Sequence, residues 1–176
     1  MARAAKLDLR AFQRELATRL AAKTAAQVEQ SRLGIACGGE QWLIRLADAG
    51  EVIAMPQLAT VPLTKPWYLG IANIRGNLYG VIDFAGFLGR PVEATAPSAG
   101  QARLVLFGSR AGELRAGLVV QRVLGLRNLA ELVRGDPPTA APAWYGARWT
   151  EPAGGVWQEI DLAQLAQDVA FLQVGL

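Results

Sequence analysis

The stretch "WYLGIANIRGNLYGVIDFAGFLG", Trp67–Gly89, decides how this chain is read, because it holds only two formal charges, Arg75 and Asp83. A transmembrane helix needs about 18 or more consecutive apolar residues with few or no charges. Asn73, Arg75, Asn77, Asp83 and four internal glycines interrupt this stretch, so it fails the test. A hairpin fits instead. "IANI" and "LYGVI" flank Arg75-Gly76-Asn77, a turn in which Gly and Asn both tolerate positive φ. Asp83 then opens "FAGFL" and Gly89 closes it, which predicts a short helix capped at both ends.

The same unit occurs twice. Trp67-Tyr68-Leu69-Gly70 leads through a turn to Val81-Ile82-Asp83-Phe84-Ala85, and Trp144-Tyr145-Gly146 leads through a turn to Glu159-Ile160-Asp161-Leu162-Ala163. Asp83 and Asp161 then fall at equivalent helix starts, where capping accounts for both without catalysis. Upstream of each unit lies a hairpin and a short β stretch. "LGIAC", a Gly-Gly turn, "QWLIRL" and "EVIAM" precede the first; "ARLVLF", a Gly-bounded turn and "LRAGLVVQRVLGL" precede the second. Alternating apolar residues in short runs, punctuated by glycines, predict compact barrels over an open sheet. "RPVEATAPSAGQ" breaks the pattern and reads as a linker. The segment from Asp161, with Leu162, Leu165, Val169 and Leu172, is amphipathic at helical spacing.

Composition narrows the chemistry. The 176 residues are 52% apolar, enough for one domain or two small halves sharing a core, and the chain reads as soluble. It has no histidine and one cysteine, Cys37. That excludes intrachain disulfides, His/Cys zinc clusters and His-based catalytic machines. Cys37 alternates with Leu33 and Ile35 and reads as a small buried hydrophobe. Phosphate-loop, dinucleotide and nucleophile-elbow motifs are absent. The net charge is +3, yet residues 1–32 carry seven Lys/Arg against three Asp/Glu, leaving the rest near neutral. A small nucleic-acid-binding barrel, the alternative reading, needs basic residues interleaved with aromatics, and the main body lacks that pattern. The leading segment 1–30 sets Leu9, Phe12, Leu16 and Leu20 on one helical face, a helix that docks on the body or on a partner.

On these residues the chain resembles the CheW-like domains, adaptor modules of bacterial chemosensory arrays. "VPLTKPWYLGIANIRGNLYGVIDFAGFLG" is similar to the family's Pro-rich lead, G-x-x-N-x-R-G turn, strand ending in Asp and short helix. "RAGLVVQRVLGL" is similar to its second-half strand pair. The leading helix, "KPW" and "RGNL" look most like the branch serving type IV pili and twitching motility. One departure is Gly80, where most of the family have Pro.

The resemblance implies a mainly β fold spanning 31–176: two five-stranded barrels on a shared hydrophobic core, the first about 33–90 and the second about 101–172. An N-terminal helix, short connecting helices and a C-terminal helix complete it. It implies a non-enzymatic cytoplasmic adaptor with no cofactor, no nucleic-acid partner and no direct membrane insertion, working at membrane-bound receptor arrays. Its implied partners are the cytoplasmic tip of a methyl-accepting chemoreceptor and the regulatory domain of a CheA-type histidine kinase. Arg75, Glu51, Asn73 and Gly76 are implied at the receptor contact, with Arg75 facing Glu51 of "EVIAM". Leu118, Val120 and Val123 are implied at the kinase contact.

Because each predicted barrel has its own apolar strands, deleting residues 1–30 is expected to leave a cooperatively unfolding body. Loss of the cooperative transition in circular dichroism would make the leading helix part of the core.

Overall fold

The computed structural model describes Glu15, Thr18, Arg19 and residues 24–90 and 100–176. Leu9, Phe12, Leu16 and Leu20 lie outside the described residues, as do 91–99 of the linker. Residues 24–30 are helical and almost wholly exposed. Arg32 holds the end of this helix. Its guanidinium donates to the Glu29 carbonyl at 2.6 Å and pairs with Glu159 at 2.6 Å, and the Trp149 indole N–H donates to the other Glu159 oxygen. This ion pair is largely buried, and both carboxylate oxygens are satisfied, as a charge out of water requires.

The strands are β1 (Ser31–Cys37), β2 (Glu40–Arg45), β3 (Ala49–Ala54), β4 (Tyr68–Ile74), β5 (Asn77–Asp83), β6 (Arg103–Phe107), β7 (Ala116–Val120), β8 (Arg122–Asn128), β9 (Val133–Gly135), β10 (Tyr145–Thr150) and β11 (Val156–Ile160). Helices α1 (Phe84–Phe87), α2 (Leu162–Leu165) and α3 (Val169–Leu172) are one turn each. One sheet runs β8-β1-β2-β11-β10-β9 and the other β3-β6-β7-β5-β4. The edge strand β9 has no counterpart in the sequence reading.

The sheets do not divide the chain at the linker. Hairpin β1–β2 is completed by β8, β9, β10 and β11 from the second half, and hairpin β6–β7 by β3, β4 and β5 from the first. The exchange is reciprocal in register. β3 pairs antiparallel with β6 as β8 does with β1, and β5 pairs parallel with β7 as β11 does with β2. The connections explain it. Only Gln121 separates β7 from β8. A reversal needs at least two residues, so the chain runs on into the other sheet, where the Gln121 N–H donates to Ala36. The twin Trp-to-Asp units do correspond: the Asp83 N–H donates to the Trp67 carbonyl at 2.8 Å, and the Asp161 N–H to the Trp144 carbonyl at 2.9 Å.

Period-2 alternation sorts side chains between layers. Trp42, Ile44, Ile82, Val105 and Leu118 enter a core shared by both sheets, while Leu43 with Trp157, and Val81 with Leu104, fill the inner face of each sheet. Trp42 joins the two sheets: its ring meets Phe84 of α1 edge-on at 5.3 Å, and its indole N–H donates to the Cys37 carbonyl. Cys37 is buried in the same core, and burial pushes its thiol up to about 12, with Asp83 adding to the shift. It packs and does not react.

Two terminal details differ from the sequence pattern. Asp161 caps α2 through the Gln164 N–H, but the Asp83 carboxylate makes no such bond at α1 and leans over Gly86 instead. The C-terminal segment is two turns, because Asp168 caps afresh through the Phe171 N–H. That restart turns Phe171 into the core, stacked 6.0 Å from Phe107, and leaves Val169 and Leu172 exposed.

Asp48 lies on the crossing from β2 to β3, is buried, and leaves Oδ2 without a hydrogen-bond donor. Burial raises its pKa and Asp161 adds to the rise, against the opposing Arg45 at 3.4 Å. A carboxylate with a raised folded pKa is least favourable at neutral pH, and stability returns as pH falls through that pKa. Asp48→Asn is therefore expected to raise the melting temperature at pH 7, and the gain over the parent should shrink towards pH 4. A gain that grows on acidification would refute this assignment.

Candidate functional site

The β4–β5 hairpin ends in a two-residue turn, since Ile74 pairs with Asn77. Its central residues are Arg75 and Gly76, with φ of +52° and +83°. Positive φ at both positions defines a type I′ turn, for which Asn-Gly is the favoured sequence. The sequence reading placed Asn77 within the turn, but it belongs to β5. The residue in the left-handed region is Arg75, where an L side chain costs roughly 1–2 kcal/mol. Asn73 supports the turn by accepting the Gly76 N–H at 2.8 Å, so it acts on the backbone.

The Arg75 guanidinium meets Glu51 at 2.5 Å, as the resemblance implied, and both side chains are exposed. The route to this contact was not legible. Glu51 is on β3 and Arg75 follows β4, the two opposite edges of the five-stranded sheet. Curvature brings them together. Past β3 the chain bends so that Ala59 and Ile71 exchange two backbone hydrogen bonds, 2.8 and 2.9 Å, linking one edge to the other. Gly70 permits this: its φ is +134°, and a Cβ there would sit 2.3 Å from the Ala59 carbonyl oxygen. Glu51 itself is aimed by a bulge, because the β3–β6 register slips between Ala49 and Val52. Gly50 lies so close to the Leu106 and Phe107 carbonyls that a side chain there would crowd them. Gly50 beside an exposed acid was the sequence signal for that bulge.

Around the pair the surface is partly apolar, with Val52 and Leu78 exposed. Leu78 stands opposite Asn73, on the same face. Asn77 accepts from Arg115 at 2.8 Å. Gly80 uses the donor that Pro would lack: its N–H donates to the Arg115 carbonyl at 2.9 Å, where the parallel β5–β7 pairing begins.

The residues assigned to the second contact are corrected by burial. Leu118 is 0% and Val120 1% exposed, because that face of β7 packs into the core shared with Ile35, Trp42 and Ile44 of the other sheet. Neither reaches the surface. Val123, on edge strand β8, is half-buried against the same core, and Leu126 on that strand is exposed. Among the described residues no group of three or more His, Cys, Asp or Glu side chains is placed to hold a metal ion. Nor is any described helix long and apolar enough to cross a membrane.

Two sheets built by reciprocal strand exchange around one core, with an N-x-R-G hairpin locked to an acid on the opposite edge, define a class that the comparisons identify. The family model of the CheW-like domain matches residues 32–170, and the chain belongs to that family. It is 32% identical over 168 residues to Protein PilI of Pseudomonas aeruginosa, covering 93% of this chain and 90% of PilI. Its fold is similar to the crystal structure of the scaffolding protein TtCheW from Thermoanaerobacter tengcongensis. The TM-score is 0.63 at 18% identity, over 75% of this chain and 88% of that one.

Arg75→Asn installs the favoured turn sequence and removes an exposed pair worth about 0–1 kcal/mol. Thermal unfolding of the variant is expected to show stability equal to or above the parent's. A clear loss would mean that the ion pair, not the turn backbone, dominates at this position.

Proposed function

We propose that the protein is a chemosensory adaptor without catalytic activity, bridging the cytoplasmic tip of a methyl-accepting chemoreceptor and the regulatory domain of a CheA-type histidine kinase. Membership in the CheW-like family supports the adaptor role. The likeness to PilI supports a place in a system controlling type IV pili and twitching motility, in the cytoplasm at receptor arrays.

The observation that carries the receptor assignment is Arg75 itself. It occupies a backbone position that favours Asn or Gly, projects into solvent, and is oriented by Glu51. A fold selected for stability alone has no use for arginine there, whereas a partner helix offering a carboxylate does. Asn73 and Gly76 shape the turn, and Val52 and Leu78 supply flanking apolar contacts of the kind helix-in-groove recognition uses. For the kinase contact, Val123 is retained from the original set and Leu126 joins it, since both lie on the β8 edge where another barrel can continue the packing.

Arg75→Ala is expected to weaken binding of a purified receptor cytoplasmic hairpin roughly tenfold, the loss of one charge-assisted contact. Melting temperature and affinity for the kinase regulatory domain should stay close to the parent's. Isothermal titration of both partners separates the outcomes: undiminished receptor affinity removes Arg75 from the interface, and equal losses for both partners indicate a folding defect.

A further inference from the structure

The six-stranded sheet carries a second surface feature, well away in sequence from the Arg75 hairpin. A groove of about 630 Å³ crosses β10, β11 and the start of β2, walled by Pro138, Pro142 and the Tyr145 ring and edged by Val156. A Glu40–Arg90 ion pair stands at its side and neutralises itself. Arg148 is different. It lines the groove, is exposed, and makes no ion pair or side-chain hydrogen bond among the described residues. Directly across the ladder from it is Gln158, which also lines the groove and is 6% exposed. The Gln158 carboxamide N–H₂ is spent on the Gly146 and Glu159 carbonyls at 2.8 and 3.2 Å. Its Oε1 is buried with no donor at all.

A buried acceptor without a donor is an unpaid desolvation cost, of about 1–3 kcal/mol. It is relieved by any group that brings an N–H or O–H donor. A solvated cation beside it, with no acid of its own chain, favours a negative group. The proline rings and the Tyr145 ring present flat apolar surfaces, the setting in which extended peptides dock.

We propose that this groove binds an extended acidic peptide segment of a partner protein. Its carboxylate pairs with Arg148, beside Gln158 on the neighbouring strand. Apolar side chains pack on Tyr145 and the two prolines. The site is independent of the receptor assignment of Arg75 and adds a second, charge-selected contact on the other sheet.

The test is to pan a phage-displayed random peptide library on the full chain and to titrate synthetic copies of the selected peptides. Selected peptides are expected to carry Asp or Glu, to bind Arg148→Glu at least roughly tenfold more weakly than the parent, and to weaken with added salt. The Gln158 side-chain amide resonances should move on binding, and those of Asn73 should not. Val156→Glu, at an exposed position on the rim, should also block binding and covers the case of a poorly folded Arg148→Glu. Recovery of no peptides, or of neutral or basic ones, would overturn the proposal. So would equal affinity for the parent and a folded variant, or resonance changes centred on the Arg75 hairpin.

Discussion

Everything in this molecule depends on two parallel strand pairings, β5 with β7 and β11 with β2. Each joins a strand from one half of the chain to a hairpin from the other. Neither half builds its sheet alone: a two-stranded hairpin is marginal in water, and the strands that follow each leading hairpin pair with the other half's hairpin. Exchange solves both problems at once and forces the halves to share a core. Trp42, carried by one hairpin, packs on Phe84, which follows the strands of the other sheet. The halves are therefore a single folding unit despite their internal repeat. The one-residue β7–β8 connection is what makes the exchange obligatory.

The same closure creates the Arg75–Glu51 pair. β3 and β4 are the free edges of the five-stranded sheet, and a flat sheet would hold Glu51 and Arg75 far apart. Gly70 lets the Ala59 carbonyl approach, the two edges bridge, and the acid and the arginine meet. The ion pair adds little to stability in solvent. Its use is orientation. Arg75 sits at a positive φ in a turn that Asn73 supports by accepting the Gly76 N–H, so the strain is carried by a local backbone bond.

Much of this was legible beforehand because it depends on local rules. Alternation from Leu33 onward gave strands, Gly-Gly and Arg-Gly gave their turns, and the twin Trp-to-Asp units pointed to duplication. Cys37 read correctly as core from its place in an alternating run, and N-x-R-G with its flanks carried the family. What failed involved packing between elements distant along the chain. Alternation says that Leu118 and Val120 share a face, but not whether that face meets solvent or another sheet. The answer depends on the core that this face shares with Ile35, Trp42 and Ile44 of the other sheet, a long-range packing. In the same way, amphipathic spacing could not show that Asp168 restarts the helix and swaps Val169 and Leu172 for Phe171 in the core.

The sequence by itself determined most of the elements, the repeat and the family, and the family resemblance named the Arg75–Glu51 couple. Each rests on residues near one another along the chain or on a motif with a fixed spacing. Only the tertiary structure decided which hairpin the later strands of each half complete, which faces are buried, and that Arg148 and Gln158 share a groove. Those outcomes follow from backbone hydrogen bonds between distant strands, whose partners no local pattern encodes. Connection length and sheet curvature chose them.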